Sequence, residues 1–128
     1  MSSTIRSHFE LDVYKRAFEV AMRIFQHSKS FPKHEQFSLT DQLRRSSRSV
    51  CANLAEAWRK RRYRNHFISK LSDSEGETAE TQTWVQFAVK CEYLERSIGV
   101  EFHNECEVVI KMIVTMIKKC DDWIIHAG

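Results

Sequence analysis

The densest chemistry in the sequence is the basic run Arg59-Lys60-Arg61-Arg62-Tyr63-Arg64, with Arg44, Arg45 and Arg48 upstream of it. On a helix, Arg44, Arg48 and Arg59 fall within about 60° of one another with Arg45 at their flank, so the cations form a stripe that leads into the run. Guanidiniums in such a row can pair with successive phosphates, and Tyr63, His66 and Trp58 offer ring faces on which unpaired bases stack. Cations near a helix C-terminus also offset the negative end of its dipole. Eight of them, Arg44, Arg45, Arg48, Arg59, Lys60, Arg61, Arg62 and Arg64, exceed that need. Three readings stay open: a nucleic acid or other polyanion, an acidic protein surface that includes a neighbouring copy, and a solvated face.

The other constellations are weaker. Asp73, Glu75, Glu77 and Glu80 could bind metal or do acid-base work, but di-iron bundles need core-facing Glu-x-x-His pairs and this sequence has none. His103 and Cys106 share a helix face without a second ligand pair to complete a zinc site. Ser46, Ser47 and Ser49 lack a paired His and Asp to activate a nucleophile, and small residues suit helix packing. Asn53 and Glu56 stand among apolar and small neighbours, so a helix lying over them would require them to be hydrogen-bonded, with Arg44, Arg45 or Arg48 as partners. No cofactor is expected, and the chain reads as non-enzymatic.

Four helices must position these groups. Three- and four-residue spacing of apolar side chains predicts the first from about Leu11 to Ser30, ending before Pro32. The second begins near Ser38 or Thr40 as N-cap and continues to about Lys60, burying Leu43, Ser47, Val50, Leu54 and Trp58. The third starts after Asn65 and runs to about Leu94, with Phe67, Leu71, Ser74, Thr78, Thr81, Val85 and Ala88 at heptad-like intervals. The fourth opens after Gly99 and reaches about Ile125, with Cys106, Val109, Ile113 and Cys120 inward. Short connections favour antiparallel neighbours, hence an all-α, up-down-up-down four-helix bundle in a single domain over 1–128, with 1–10 expected to be flexible. A second stripe on the third helix, Asp73, Glu77, Glu80, Trp84, Phe87 and Cys91, either widens the core or forms an oligomer interface.

Composition excludes the competing classes. Three glycines and one proline in 128 residues are far too few for an all-β fold, and no glycine cluster could cradle a nucleotide phosphate. The apolar stretch Val108–Ile117 is too short to span a bilayer, no secretory leader is recognisable, and the spacing of four cysteines fits reduced thiols, so a cytoplasmic setting without membrane partners is expected. The net charge of +3 conceals a polar distribution: residues 41–72 carry nine basic and two acidic groups, whereas residues 73–107 carry two basic and nine acidic ones. Such patches direct partner choice rather than fold.

Leu39-Thr40-Asp41-Gln42-Leu43-Arg44-Arg45-Ser46-Ser47-Arg48-Ser49-Val50, then Ala52-Asn53-Leu54-Ala55-Glu56, the basic turn, and Glu80-Thr81-Gln82-Thr83-Trp84 onward to Tyr93-Leu94 together resemble the bacterial four-helix-bundle family of 23S ribosomal RNA intervening-sequence proteins. Leu11-Asp12-Val13-Tyr14-Lys15 and Ser30-Phe31-Pro32 extend the resemblance from about Phe9 to Ile124. It implies a left-handed antiparallel bundle assembled as a ring, typically a homopentamer. The family is similar in turn to the accessory variability proteins of diversity-generating retroelements, basic pentamers that bind nucleic acid and partner a reverse transcriptase. Three positions depart from the family pattern: Cys51 stands where Pro is frequent, and Ala57 and Glu92 where Gly is frequent. Ala57 should carry the second helix further toward Arg59.

The combined expectation is an oligomeric RNA- or DNA-binding protein that works through its basic second helix and turn. Asn53, Glu56, Trp84 and Phe87 are candidates for structure or interface. The alternative is an assembly module in which the basic face pairs with a neighbour's acidic one.

Overall fold

The apolar periodicities resolve into four helices in the computed structural model, which describes residues 5–126. They are α1 (Asp12–Ser28), α2 (Leu39–Arg59), α3 (Arg64–Lys90) and α4 (Arg96–Lys118), with single 3-10 turns at His8–Glu10, Lys33–Glu35 and Cys120–Asp122. Side-chain pairs fix the directions. Lys70 and Ser74 of α3 meet Glu56 and Val50 of α2, while Thr81 meets Ser46, so the two run antiparallel. Arg16 and Arg23 of α1 pair with Glu105 and Glu101 of α4, again in opposite order. Each helix packs on its sequence neighbours and α1 closes against α4, which makes the fold an all-α four-helix bundle.

Two apolar clusters fill the bundle, one at each end. Val13, Ala17, Leu54, Trp58, Phe67, Leu71, Val109 and Ile113 belong to the first, and Ile24, Phe31, Leu43, Val85, Phe102 and Cys106 to the second. Each fully buried aromatic or aliphatic side chain contributes about 1.5–3 kcal/mol. Between the clusters lies a hydroxyl layer. Ser74 Oγ donates to the Val50 carbonyl at 2.8 Å, Thr81 Oγ1 donates to Ser46 Oγ at 2.9 Å, and Thr78 Oγ1 donates back to the Ser74 carbonyl at 2.8 Å. Small polar side chains that satisfy one another let the helices approach without stranding a buried dipole.

The helix ends differ from expectation for local reasons. At the start of α2 neither Ser38 nor Thr40 caps through its side chain; Glu35 accepts hydrogen bonds from the Leu39 amide and the Ser38 hydroxyl instead. Those two bonds and a third from Tyr93 hold the Glu35 carboxyl below its usual pKa. Ala57 is buried and α2 does continue to Arg59. Helix α3 stops at Lys90 rather than Leu94, because Glu92 takes a left-handed conformation with φ 63°. The Tyr93 amide then bonds the Ala88 carbonyl and the Glu92 amide that of Val89, a complete Schellman closure. A glutamate thus makes the turn for which glycine is favoured.

Gly99 lies inside the first turn of α4 rather than before it. A Cβ there would overlap Val89 Cγ2, so the glycine serves the close approach of α3 and α4. Beyond Lys118 the chain leaves the helix and crosses the end of the bundle, where the Ile125 amide donates to the Arg61 carbonyl at 2.8 Å. Of the segment 1–10, residues 1–4 lie outside the described residues, whereas Ile5 packs on the first cluster and His8–Glu10 forms its turn. No helix among the described residues is long and apolar enough to cross a membrane.

Candidate nucleic-acid interface

Helix α2 carries its cations on the side away from the core, and they divide into groups with different surroundings. Between Arg44 and Arg59 the helix rises about 22 Å, so one group sits near each end of the bundle. Arg44 and Arg48 lean over Phe25 of α1, with Cζ at 4.9 and 5.6 Å from the ring centroid. Arg44 Nε also donates to Ser28 Oγ at 2.8 Å. Arg45 lies on the opposite flank, facing α3, with Asp41 Oδ2 at 3.9 Å and Glu77 close enough to feel its charge.

The basic turn is built around Arg61. Its Nε donates to the Trp58 carbonyl at 2.8 Å, and its guanidinium lies 3.5 Å from the centroid of the Trp58 ring. The side chain therefore satisfies a terminal carbonyl of α2 and stacks on a buried indole. Partial burial, with the like charge of Arg59, lowers its pKa. Arg64 pairs with Asp121 beyond α4. Arg59, Lys60 and Arg62 are exposed and make no ion pair among the described residues. Tyr63 is 56% exposed, with its ring 5.4 Å from that of His66. Trp58, by contrast, is buried under Arg61 and has no face for a base.

The structure redirects two expected contacts. Asn53 Nδ2 donates to the Ser49 carbonyl within α2 at 3.0 Å, and exposed Glu56 accepts Lys70 of α3 at 3.3 Å; neither meets Arg44, Arg45 or Arg48. On α3, Trp84 is half-buried and donates through Nε1 to Glu80 at 3.3 Å, while Phe87 is 52% exposed. Trp84 thus packs partly against the second apolar cluster, whereas Phe87 stays at the surface. Desolvation, then the nearby Glu80 and Asp73, raise the Glu77 pKa. The outer faces of α2 and α3 thus place Arg45, Ser49 and Ala52 beside an acidic and aromatic ridge.

Among the described residues no three His, Cys, Asp or Glu side chains converge as metal ligands. Burial pushes the Cys51 thiol up to about 11 and the Cys106 thiol up to about 12, which leaves both protonated and poorly nucleophilic near neutrality. Sequence reasoning passed over two cations, Lys29 and Lys33, which flank Pro32. They lie in another element from the α2 stripe, and the fold brings them to its first turns.

Known proteins supply the remaining findings. The family described as 23S rRNA-intervening sequence protein matches residues 9–115. Among solved structures, a protein of unknown function from the S23 ribosomal protein family of Bacteroides thetaiotaomicron VPI-5482 superposes with a TM-score of 0.75 at 29% identity, over 83% of this chain and 95% of that one. No curated protein matches the sequence.

Proposed function

This chain belongs to the 23S rRNA-intervening sequence protein family, and from that premise we propose that it is a non-enzymatic, oligomeric protein that binds RNA or DNA through the basic end of α2 and the turn that follows. The observation that carries this reading is the cluster of Arg59, Lys60 and Arg62, exposed together and without counterions among the described residues. Like charges held this close repel one another, and a polyanion relieves that repulsion while releasing its own counterions. Exposed Tyr63 and His66 add faces for unpaired bases, which favours single-stranded or looped segments.

The division of labour within the turn defines the variants. Arg61 and Arg64 hold the turn, so charge reversal belongs at Arg59, Lys60 and Arg62. The triple variant Arg59→Glu, Lys60→Glu, Arg62→Glu should keep its helical circular dichroism and oligomeric state and lose binding to a single-stranded RNA in fluorescence anisotropy. For the wild type, log affinity should fall against log salt with a slope of roughly −0.7 per contacted phosphate. Unchanged RNA affinity in the triple variant would refute the reading.

A second reading draws on the ridge of α3. Asp73, Glu77, Glu80, Trp84 and Phe87 form an acidic and aromatic surface beside the small residues of α2, suited to receive a neighbour's basic face in a closed ring such as a homopentamer. On that reading the triple variant dissociates into monomers and the wild type ignores nucleic acid.

A further inference from the structure

At the corner where α1 passes into α2, a cavity of about 270 Å³ is lined by Ser28, Lys29, Lys33, Gln36, Thr40 and Arg44, among others. Three of these are cations, and no carboxylate is in the lining. Lys29 Nζ and the Arg44 and Arg48 guanidiniums lie 4.9, 4.9 and 5.6 Å from the Phe25 ring centroid, so like charges surround one half-buried ring. Among the described residues none of Lys29, Lys33, Arg44 or Arg48 forms an ion pair. Cations gathered by the fold without a counterion leave an electrostatic debt that an anion would cancel.

A second observation is independent of charge. Thr40 is only 5% exposed, and its hydroxyl is buried with no hydrogen-bond partner. Orphaned buried hydroxyls are rare in native proteins and point to a missing acceptor. Thr40 stands in the first turn of α2, where backbone amides face the helix end and favour negative charge. Glu35, in the 3-10 turn before α2, has its oxygens occupied by Ser38, the Leu39 amide and the Tyr93 hydroxyl, and Asp41, the acidic residue of the first turn, faces Arg45 at 3.9 Å.

We propose that this corner is a phosphate-binding pocket, in which Lys29, Lys33 and Arg44 supply the charge and the Thr40 hydroxyl donates to a phosphate oxygen. The pocket lies at the other end of α2 from the basic turn, and it takes a single phosphate group, free or carried at the end of a nucleic-acid chain.

Thermal melts in inorganic phosphate against chloride at equal ionic strength test the pocket. Phosphate should raise the wild-type Tm in a saturable way. Thr40→Val should melt higher than wild type in chloride, since the orphaned hydroxyl is gone, yet bind phosphate about tenfold more weakly. Those opposite signs separate a ligand role from a structural one. Lys33→Gln should leave the chloride Tm unchanged and weaken phosphate binding. The triple variant of the basic turn should retain the full phosphate shift, so failure of RNA binding at the turn and failure of this pocket are distinguishable. A 5′-phosphorylated oligonucleotide that displaces inorganic phosphate better than its 5′-hydroxyl twin identifies a chain end as the source; equal displacement identifies free phosphate. No phosphate-specific shift in the wild type, or an undiminished one in Thr40→Val, would overturn the proposal.

Discussion

Glu92 ends α3 in the left-handed conformation, at φ 63°, and its replacement by glycine should stabilise the protein. In that region the Cβ of an L-residue crowds the following carbonyl at a cost of about 1–2 kcal/mol, which glycine avoids. Glycine gives back part of the gain because its unfolded chain has more freedom to lose. The net expectation is about 1 kcal/mol. For 128 residues the unfolding entropy is about 0.27 kcal/mol/K, so the melting temperature of Glu92→Gly should rise by about 4 °C. Glu92→Ala is the decisive companion, because alanine removes the side chain and keeps the Cβ. It should melt within about 1 °C of wild type. Calorimetry and urea titration of the three proteins read both effects. If alanine stabilises as much as glycine, the strain lies in the carboxylate's surroundings and the backbone argument fails.

Gly99→Ala should destabilise by about 1–3 kcal/mol through overlap with Val89; adding Val89→Ala should recover part of it, seen as a coupling above about 0.5 kcal/mol in a double-mutant cycle. A thiol reagent near pH 8 should modify Cys91 rapidly and leave Cys51, Cys106 and Cys120 untouched until urea is added, since Cys91 is exposed and the others are buried. The raised Glu77 pKa means that the folded chain holds this proton more tightly than the unfolded one, so ionisation destabilises as pH rises through the folded value. Glu77→Gln should therefore melt above wild type at pH 7, and the difference should vanish near about pH 4.

The fold was legible because its information is periodic. The third-helix pattern Phe67, Leu71, Ser74, Thr78, Thr81, Val85, Ala88 is buried throughout, including its three hydroxyl residues, which hydropathy alone would have placed outside. Ends were less legible, because they depend on single backbone conformations and on distant partners. Nothing local announces that Glu92 will adopt a positive φ, or that Glu35 will cap α2 in place of Ser38. For the candidate site, the pattern located the basic stripe but could not sort its members. Arg59 and Arg61 are the same residue type in one basic run; only the position of the Trp58 ring and carbonyl assigns Arg61 to the turn's own support. Lys29 and Lys33 escaped notice because closeness in space to Arg44 is a tertiary property.

The hydroxyl layer between the two apolar clusters also settles how far the helices can slide. Aliphatic side chains at heptad spacing are nearly interchangeable, so α3 could move along α2 by one turn, about 5.4 Å, and still find apolar neighbours. Such a slip would take Ser74 from the Val50 carbonyl and Thr81 from Ser46, leaving Thr81 only the Glu77 carbonyl of its own helix. Two hydrogen bonds of modest strength therefore act as register marks, making one alignment of a repetitive pattern distinct from the next and holding the basic turn at a fixed height on the bundle.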